Sequence, residues 1–292
     1  MGINQNKKSS TLRVQTLSQA LPYIQKFQNE TFVIKYGGAA MENTELKKET
    51  IKDFLLLSCV GIKLILIHGG GPEINIMSKR LNLPIKFVNG YRVTDAQTME
   101  IVEMVLVGKV QKDLVNLINV SGGKAIGLSG KDGKLFSVKP IKAFKNLGFI
   151  GNVKSVDTSI LFALLDRGFI PVISSVGADQ NGQNYNINAD DVAWSVASSL
   201  KASKLILMTD TDGILKNTID SKSLISRLSV KDAKNLIRKK IITGGMIPKV
   251  NSAIGALKKG VNSVHIINGA LKHSILLEVF TDEGIGTMIT RS

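Results

Sequence analysis

An uninterrupted apolar run, Leu64 to Ile67, meets His68, then Gly69, Gly70 and Gly71, then Pro72. The run reads as a strand covered on both faces. Pro72 suits the first turn of a helix, where the N–H it lacks would have had no partner. A strand that stops at glycines and turns straight into a helix points to an α/β arrangement. Without β-carbons the glycines let a bound group approach the backbone. The free N–H groups and the positive dipole end of the helix behind them suit an anion. A plain tight turn is the competing reading of the same residues.

A second corner repeats the pattern. Thr31 to Ile34 runs into Lys35, Tyr36, Gly37 and Gly38, with the lysine at the strand's end. Two such corners in one half of a chain suggest neighbouring parallel strands opening onto a common anionic ligand. Neither Gly-x-Gly-x-x-Gly nor Gly-x-x-x-x-Gly-Lys-Ser/Thr occurs, so the dinucleotide and P-loop readings both fall.

Composition sets the bounds around these corners. At 292 residues, with 43% hydrophobic and 21% charged positions, the chain has ordinary globular values and can bury a substantial core. No apolar run approaches the ~20 residues of a membrane span, and the polar stretch Met1 to Arg13 predicts no secretion signal. The single cysteine, Cys59, fits a reducing compartment and lies in an apolar stretch, so a packed thiol is expected. The three histidines show no metal-ligand spacing. Net charge is +15, yet the lysines are scattered and aromatics are only 5%. That pattern argues against nucleic acid and for a solvated surface suited to small anions.

Along the chain, Leu12 to Gln28 has helical spacing with Pro22 inside it, and would be either a cover for the sheet or an arm gripping another subunit. Helices are expected over 45–60, from 72, over 96–120 (capped by Thr94 or Asp95), 159–166, 192–200, 230–239 (capped by Ser229), from about 245, and 273–280. Buried strands are expected at 31–36, 64–67, 125–128, 169–175, 205–209, 264–267 and 288–290. Asp132-Gly133 reads as a hairpin turn, with 149–153 continuing the strand before it. Arg92 is either a surface arginine or a carboxylate clamp. The alternation implies a three-layer αβα sandwich about a largely parallel sheet, with residues 1–30 a helical arm and 31–292 one domain. Its N-lobe (about 31–180) would serve substrate and its C-lobe (about 181–292) nucleotide.

The polar groups gather at strand ends and helix starts. Lys35 and Lys249 each adjoin a glycine pair, and Asp190 stands at a helix start, either as its cap or as a holder of both ammonium groups. There is no Ser-His-Asp set and no thiol in a reactive setting. This inventory suits phosphoryl transfer, which is mainly positioning and charge cancellation. A carboxylate acceptor is already ionised at pH 7, so a kinase making an acyl phosphate needs no general base.

Six segments in order carry a resemblance: Lys35-Tyr-Gly37-Gly38, His68-Gly69-Gly70-Gly71-Pro72, Asn89-Gly90-Tyr91-Arg92, Asn186-Ile-Asn188-Ala-Asp190, Asp210-Thr-Asp212-Gly213 and Gly244-Gly245-Met-Ile-Pro-Lys249. Over about residues 12–290 they resemble the N-acetyl-L-glutamate kinases of the amino acid kinase family. The resemblance implies ATP-dependent phosphorylation of the γ-carboxylate of N-acetyl-L-glutamate, the second step of arginine synthesis. It implies that Lys35 and Lys249 stabilise the transition state and that Asp190 orients them. Gly70, Gly71, Arg92 and Asn186 would hold the substrate. Gly37, Gly38, Thr209, Asp210, Asp212 and Gly213 would serve the nucleotide. Mg²⁺ would be carried mainly by ATP, with no metal site in the chain itself.

The N-terminal helix and the ending Glu278-Val-Phe-Thr-Asp-Glu-Gly284 are similar to the arginine-inhibited, hexameric branch, a trimer of dimers in which N-terminal helices interlace. That favours the arm, and implies an arginine pocket from Tyr23, Lys216, Glu278 and Gly284. Relatives in oxygenic phototrophs add a PII-type signal protein, a partner none of these residues marks. A bacterial cytoplasm or a plastid stroma fits. The rival readings are another kinase of this fold (on glutamate, aspartate, carbamate or uridylate), a non-catalytic regulator binding nucleotide or arginine, and a nucleic-acid binder.

Overall fold

The computed structural model describes residues 18–141, 147–217 and 219–292. Of the helix expected from Leu12, positions 12–17 lie outside these; α1 occupies residues 18–27 and runs through Pro22. It tucks Phe27 into the core while Leu21 stays exposed.

Strand β1 (Thr31–Tyr36) leads to the short α2 (Ala39–Glu42) and to α3 (Thr44–Cys59), which is capped by Asn43 accepting from the Leu46 N–H. Next come β2 (Lys63–His68) and α4 (Gly71–Arg80), with Pro72 in its first turn. The segment 81–94 holds a small hairpin, β3 (Phe87–Val88) and β4 (Tyr91–Arg92). Asp95, not Thr94, caps the long helix that follows, accepting from the Thr98 N–H. That helix is α5 (Ala96–Glu103), a π-helical segment (Met104–Val110) and α6 (Gln111–Val120) in unbroken succession. Periodicity foresaw the helix but not the inserted turn, because a π segment shifts the apolar face by one residue without ending it.

The remaining elements are β5 (Ala125–Leu128), β6 (Phe136–Pro140), β7 (Ile150–Val156), α7 (Ser159–Leu165), β8 (Ile170–Ser174), β9 (Val176–Ala178), β10 (Asn184–Ile187), α8 (Ala189–Leu200), β11 (Lys204–Thr209), β12 (Arg227–Ser229), α9 (Val230–Arg238), α10 (Met246–Lys258), β13 (Ser263–Asn268), α11 (Ser274–Phe280) and β14 (Thr287–Thr290).

Eight strands form the central sheet in the order β12-β14-β13-β11-β1-β2-β8-β5, parallel except where β13 meets β14. Alternation along each strand feeds two cores. Val33, Ile65 and Ile67 face one, with α8 and α10. Phe32, Ile34, Leu64 and Leu66 face the other, with α3, α5 and α6. Strands β6, β7, β9 and β10 close into a separate small barrel. Two expectations therefore fail. Asp132-Gly133 sits in a short 3₁₀ turn rather than a hairpin, and β7 pairs antiparallel with β6 instead of continuing β5. Cys59 is exposed, not packed. It is the last residue of α3, on the side turned from the sheet.

The switch point of the sheet lies at β1, with β2 on one side and β11 on the other. Ligand crevices in open α/β sheets form outside the carboxyl ends of strands at such points.

Candidate active site

Lys35 leaves β1 on the same face as Val33, toward the start of α8. There Asn188 is the helix cap, its side chain accepting from the Asp190 N–H. The cap role being filled, the Asp190 carboxylate is free for other partners. It meets the Lys35 Nζ at 3.3 Å through Oδ1 and the Lys249 Nζ at 2.6 Å through Oδ2. Lys249 comes from the first turn of α10, behind Gly244 and Gly245. Residues 214 positions apart in sequence thus converge on one carboxylate. Burial acts to keep that carboxyl protonated, but the two ammonium groups outweigh it and it titrates below the ordinary aspartate range.

Two cavities border this trio, and a third adjoins the first of them. One of about 190 Å³ is lined by Lys35, Gly37, Gly38, Asp190 and the Gly69–Gly71 corner. A second, of about 360 Å³, shares that corner and adds Asn75, Arg92, Leu106 and Asn186. Arg92 is buried, with Nη2 donating to the Gly71 carbonyl at 3.2 Å and to Asn75 Oδ1 at 2.6 Å, while its guanidinium lies over the Phe87 ring. The clamp reading of Arg92 thus has a built seat. Asn186, on the lining of the same cavity, donates from Nδ2 to Thr94 Oγ1 at 3.3 Å.

The third cavity, about 430 Å³, lies beyond Lys249 and is lined by Thr209, Asp210, Gly213, Ile214, Ile242 and Met246 among others. Its apolar wall suits a flat ring system. Gly38 closes the gap between this cavity and the first: a β-carbon there would stand 2.2 Å from Asp210 Oδ1, and its φ of +67° is one a side chain tolerates poorly. Asp212 is not on the lining; its carboxylate instead accepts from Asn268 Nδ2 at 2.7 Å, tying the loop after β11 to the end of β13.

Sequence reasoning gave no site role to Asn75, Thr94, Asn188 or Leu106. Asn75 and Asn188 carried a usable signal, each lying at a helix start beside a flagged glycine or aspartate. Leu106 carried none, since only the π segment turns it to the glycines.

A separate pocket of about 250 Å³ lies at the opposite edge of the sheet, lined by Tyr23, Glu278 and Gly284 together with Lys204, Arg227, His265 and Asp282. Lys216 is not there; its N–H bonds the Ser223 carbonyl in the loop after β11. Lys204, the first residue of β11, and Lys26 of α1 are the lysines on its lining. Tyr23 donates its hydroxyl to Asp282 Oδ1 at 2.5 Å. His265 bonds Glu278 Oε1 through Nδ1 at 2.6 Å and Lys204 Nζ through Nε2 at 3.0 Å. The Ile285 and Gly286 N–H groups complete the shell of Glu278 at 2.8 and 3.0 Å.

The profile of the Amino acid kinase family matches residues 30–268. An acetylglutamate kinase of Nostoc punctiforme is 53% identical over 286 residues, 98% of this chain and 96% of that one. A chloroplastic acetylglutamate kinase of Arabidopsis thaliana is 54% identical over 285 residues, 98% of this chain and 82% of that one. Among solved structures, N-acetylglutamate synthase from Neisseria gonorrhoeae complexed with coenzyme A and L-arginine superposes with a TM-score of 0.80 at 28% identity, covering 96% of this chain. This chain spans 65% of that synthase, just under two thirds of its length. With a family match across most of its residues and more than half identity to acetylglutamate kinases along nearly its whole length, this chain belongs to the amino acid kinase family, among its acetylglutamate kinases.

Proposed function

We propose that this chain transfers the γ-phosphoryl group of ATP to the γ-carboxylate of N-acetyl-L-glutamate, the second step of arginine biosynthesis. The observation that carries the reading is the Asp190 carboxylate ion-paired with both Lys35 and Lys249 between the glycine-lined cavity and the one beyond Lys249. The acceptor carboxylate is ionised at neutral pH, so no base is required. The work left to the protein is to bring two anions together and to cancel the charge that spreads over the moving phosphoryl group.

Lys249 borders the nucleotide cavity and Lys35 the glycine-lined one, so the pair brackets the path from donor to acceptor. Two ammonium groups held on one carboxylate repel each other. Asp190 offsets that repulsion and fixes where both point. The Gly69–Gly71 amides at the start of α4 supply further donors to the phosphoryl oxygens. Arg92 makes both its protein hydrogen bonds among the described residues through Nη2, which leaves Nη1 and Nε for the substrate's α-carboxylate. Asn186 holds the acetylamino group beside it.

Thr209, Asp210 and Gly213 line the nucleotide cavity, with Gly37 and Gly38 at the phosphates. No group of three His, Cys, Asp or Glu side chains gathers among the described residues to cage a metal. Mg²⁺ is commonly held by substrate phosphates with one or two carboxylates; here it would arrive on ATP, with Asp210 a carboxylate on the lining of the nucleotide cavity. When bound, it screens the phosphate charge.

Arginine fits the opposite pocket by charge. Its guanidinium matches Asp282 and Glu278, and its carboxylate matches Lys204 and Arg227. The arm α1 brings Tyr23 to that pocket and presents Leu21 to solvent, as a helix docking on another copy in a hexamer would. The chain would work in a bacterial cytoplasm or a plastid stroma.

ATP turnover with N-acetyl-L-glutamate and with glutamate, each with and without arginine, tests the reading. Rapid use of the acetylated substrate alone, suppressed by arginine, is expected. Equal use of plain glutamate would refute the substrate assignment.

A further inference from the structure

The ring of His68 closes β2 and is fully buried, on the sheet face opposite to Lys35 and Asp190. Its Nδ1 stands 2.8 Å from the Gly69 carbonyl oxygen. A carbonyl can only accept, so Nδ1 carries the proton and Nε2 is left as a lone-pair acceptor. That Nε2 has no hydrogen-bond partner among the described residues. On the adjacent strand β8, Ser174 is the register partner of His68, also fully buried, and its Oγ likewise lacks a partner among the described residues. Register partners on parallel strands project to the same face. A hydroxyl donor and a ring acceptor therefore lie on one face of neighbouring strands, without a direct bond between them, and one bridging water would satisfy both.

The Gly69 carbonyl and the Gly70 N–H belong to one planar trans peptide, so they point in opposite directions. Drawing the carbonyl back toward His68 turns the Gly70 N–H away from that layer, toward the side of the sheet that holds Lys35 and Asp190. Gly70 lines both the glycine cavity and the substrate cavity. It is pinned from the helix side as well: a β-carbon there would meet Leu106 Cδ2 at 2.6 Å and Val110 Cγ2 at 3.2 Å, both on the π segment.

We propose that His68, backed by Ser174, is a positioning residue for the phosphoryl transfer, holding the Gly69 carbonyl so that the Gly70 N–H faces the phosphoryl group in flight. This rests on the reaction proposed above. Burial keeps the ring neutral, with its pKa pushed down to about 4. The Nδ1–H form therefore persists at neutral pH.

The test compares His68→Leu, His68→Asn and Ser174→Ala with the wild-type chain, with kcat and both KM values normalised to folded protein. Asparagine can keep a donor near the Nδ1 position; leucine cannot. Loss of one aimed oxyanion donor costs about 100-fold or more in kcat, and misdirection of one costs less. His68→Leu is expected to lose roughly 30-fold in kcat, His68→Asn less than about fivefold and Ser174→Ala about threefold, with both KM values within about twofold. A purely packing role would lower melting temperatures and leave kcat per folded molecule alone. Nitrogen-15 spectra of histidine-labelled wild type have three rings to assign, and His68 should carry its proton on Nδ1.

Wild-type kcat in His68→Leu, equal losses in His68→Leu and His68→Asn, or a proton on Nε2 would each overturn the proposal. If His68→Leu does not fold, the Ser174→Ala kinetics and the nitrogen spectra decide. Wild type without turnover on N-acetyl-L-glutamate would instead refute the underlying reaction, a result separate from unchanged kcat in the variants.

Discussion

Asp190 and Glu278 are both carboxylates buried among basic side chains, and they lie at opposite ends of the same strands. Asp190 stands at the carboxyl edge of the sheet, at a helix start, and its partners are two lysines that open onto two cavities. Glu278 stands at the amino edge, and its partners are a neutral histidine and two backbone amides. The ingredients are similar. What separates a reacting centre from a binding pocket is where the fold leaves its cations: aimed outward at strand ends, or turned inward on each other.

That contrast breaks if Asp190 and Glu278 respond alike to losing their charge. Asp190→Asn is expected to lower kcat by about 100-fold or more, because two lysines lose the group that orients them. Glu278→Gln should cost on the order of 3 kcal/mol of stability by denaturant titration, as for breaking a buried pair. It should leave kcat without arginine near wild type while abolishing arginine's effect. Equal kcat losses in the two variants would erase the distinction.

A smaller effect sharpens the picture at the reacting end. Arg92→Lys keeps the charge but gives up the planar fork, so KM for N-acetyl-L-glutamate should rise roughly tenfold with kcat little changed. A change in kcat alone would mean Arg92 acts on the phosphoryl group and not on the substrate's far carboxylate.

The amino edge has its own pH signature. Burial pushes the Lys204 ammonium down to about 8, against 10.5 for the free side chain. With the folded value depressed, this group's contribution to stability is present above pH 10.5 and is lost as pH falls through about 8. Comparing wild type with Lys204→Met by denaturant titration should reveal a term of up to about 3 kcal/mol between those limits. Identical pH slopes would mean the lysine is solvated. Smallest of all, Tyr23→Phe removes only the bond to Asp282. It should weaken arginine inhibition a fewfold, read from the arginine concentration for half-inhibition.

Much of the carboxyl edge was legible in advance because its residues announce themselves locally. Glycines after apolar runs, a lysine at a strand's end and Asp190 at a helix start are short-range patterns with a mechanism. What stayed hidden depends on long-range packing. The π segment that delivers Leu106 to Gly70, the barrel that takes β7 out of the main sheet, and Asn268 capturing Asp212 leave no mark on local periodicity. The pocket at the amino edge depends on long-range packing in the same way. Tyr23, Glu278 and Gly284 cluster there, but the cations beside them are Lys26, Lys204 and Arg227, and not the loop residue Lys216. Cys59 misled in the opposite way: apolar neighbours on a helix do not bury the residue that ends it.

The turnover of Lys249→Ala, at saturating ATP and N-acetyl-L-glutamate and on protein shown to be folded, bears on the shared carboxylate more than any other measurement. A fall in kcat of roughly 100- to 1,000-fold with little change in either KM is expected if that ammonium steadies the moving phosphoryl group. A kcat within threefold of wild type would contradict it and leave Lys35 and Lys249 as a structural ion cluster.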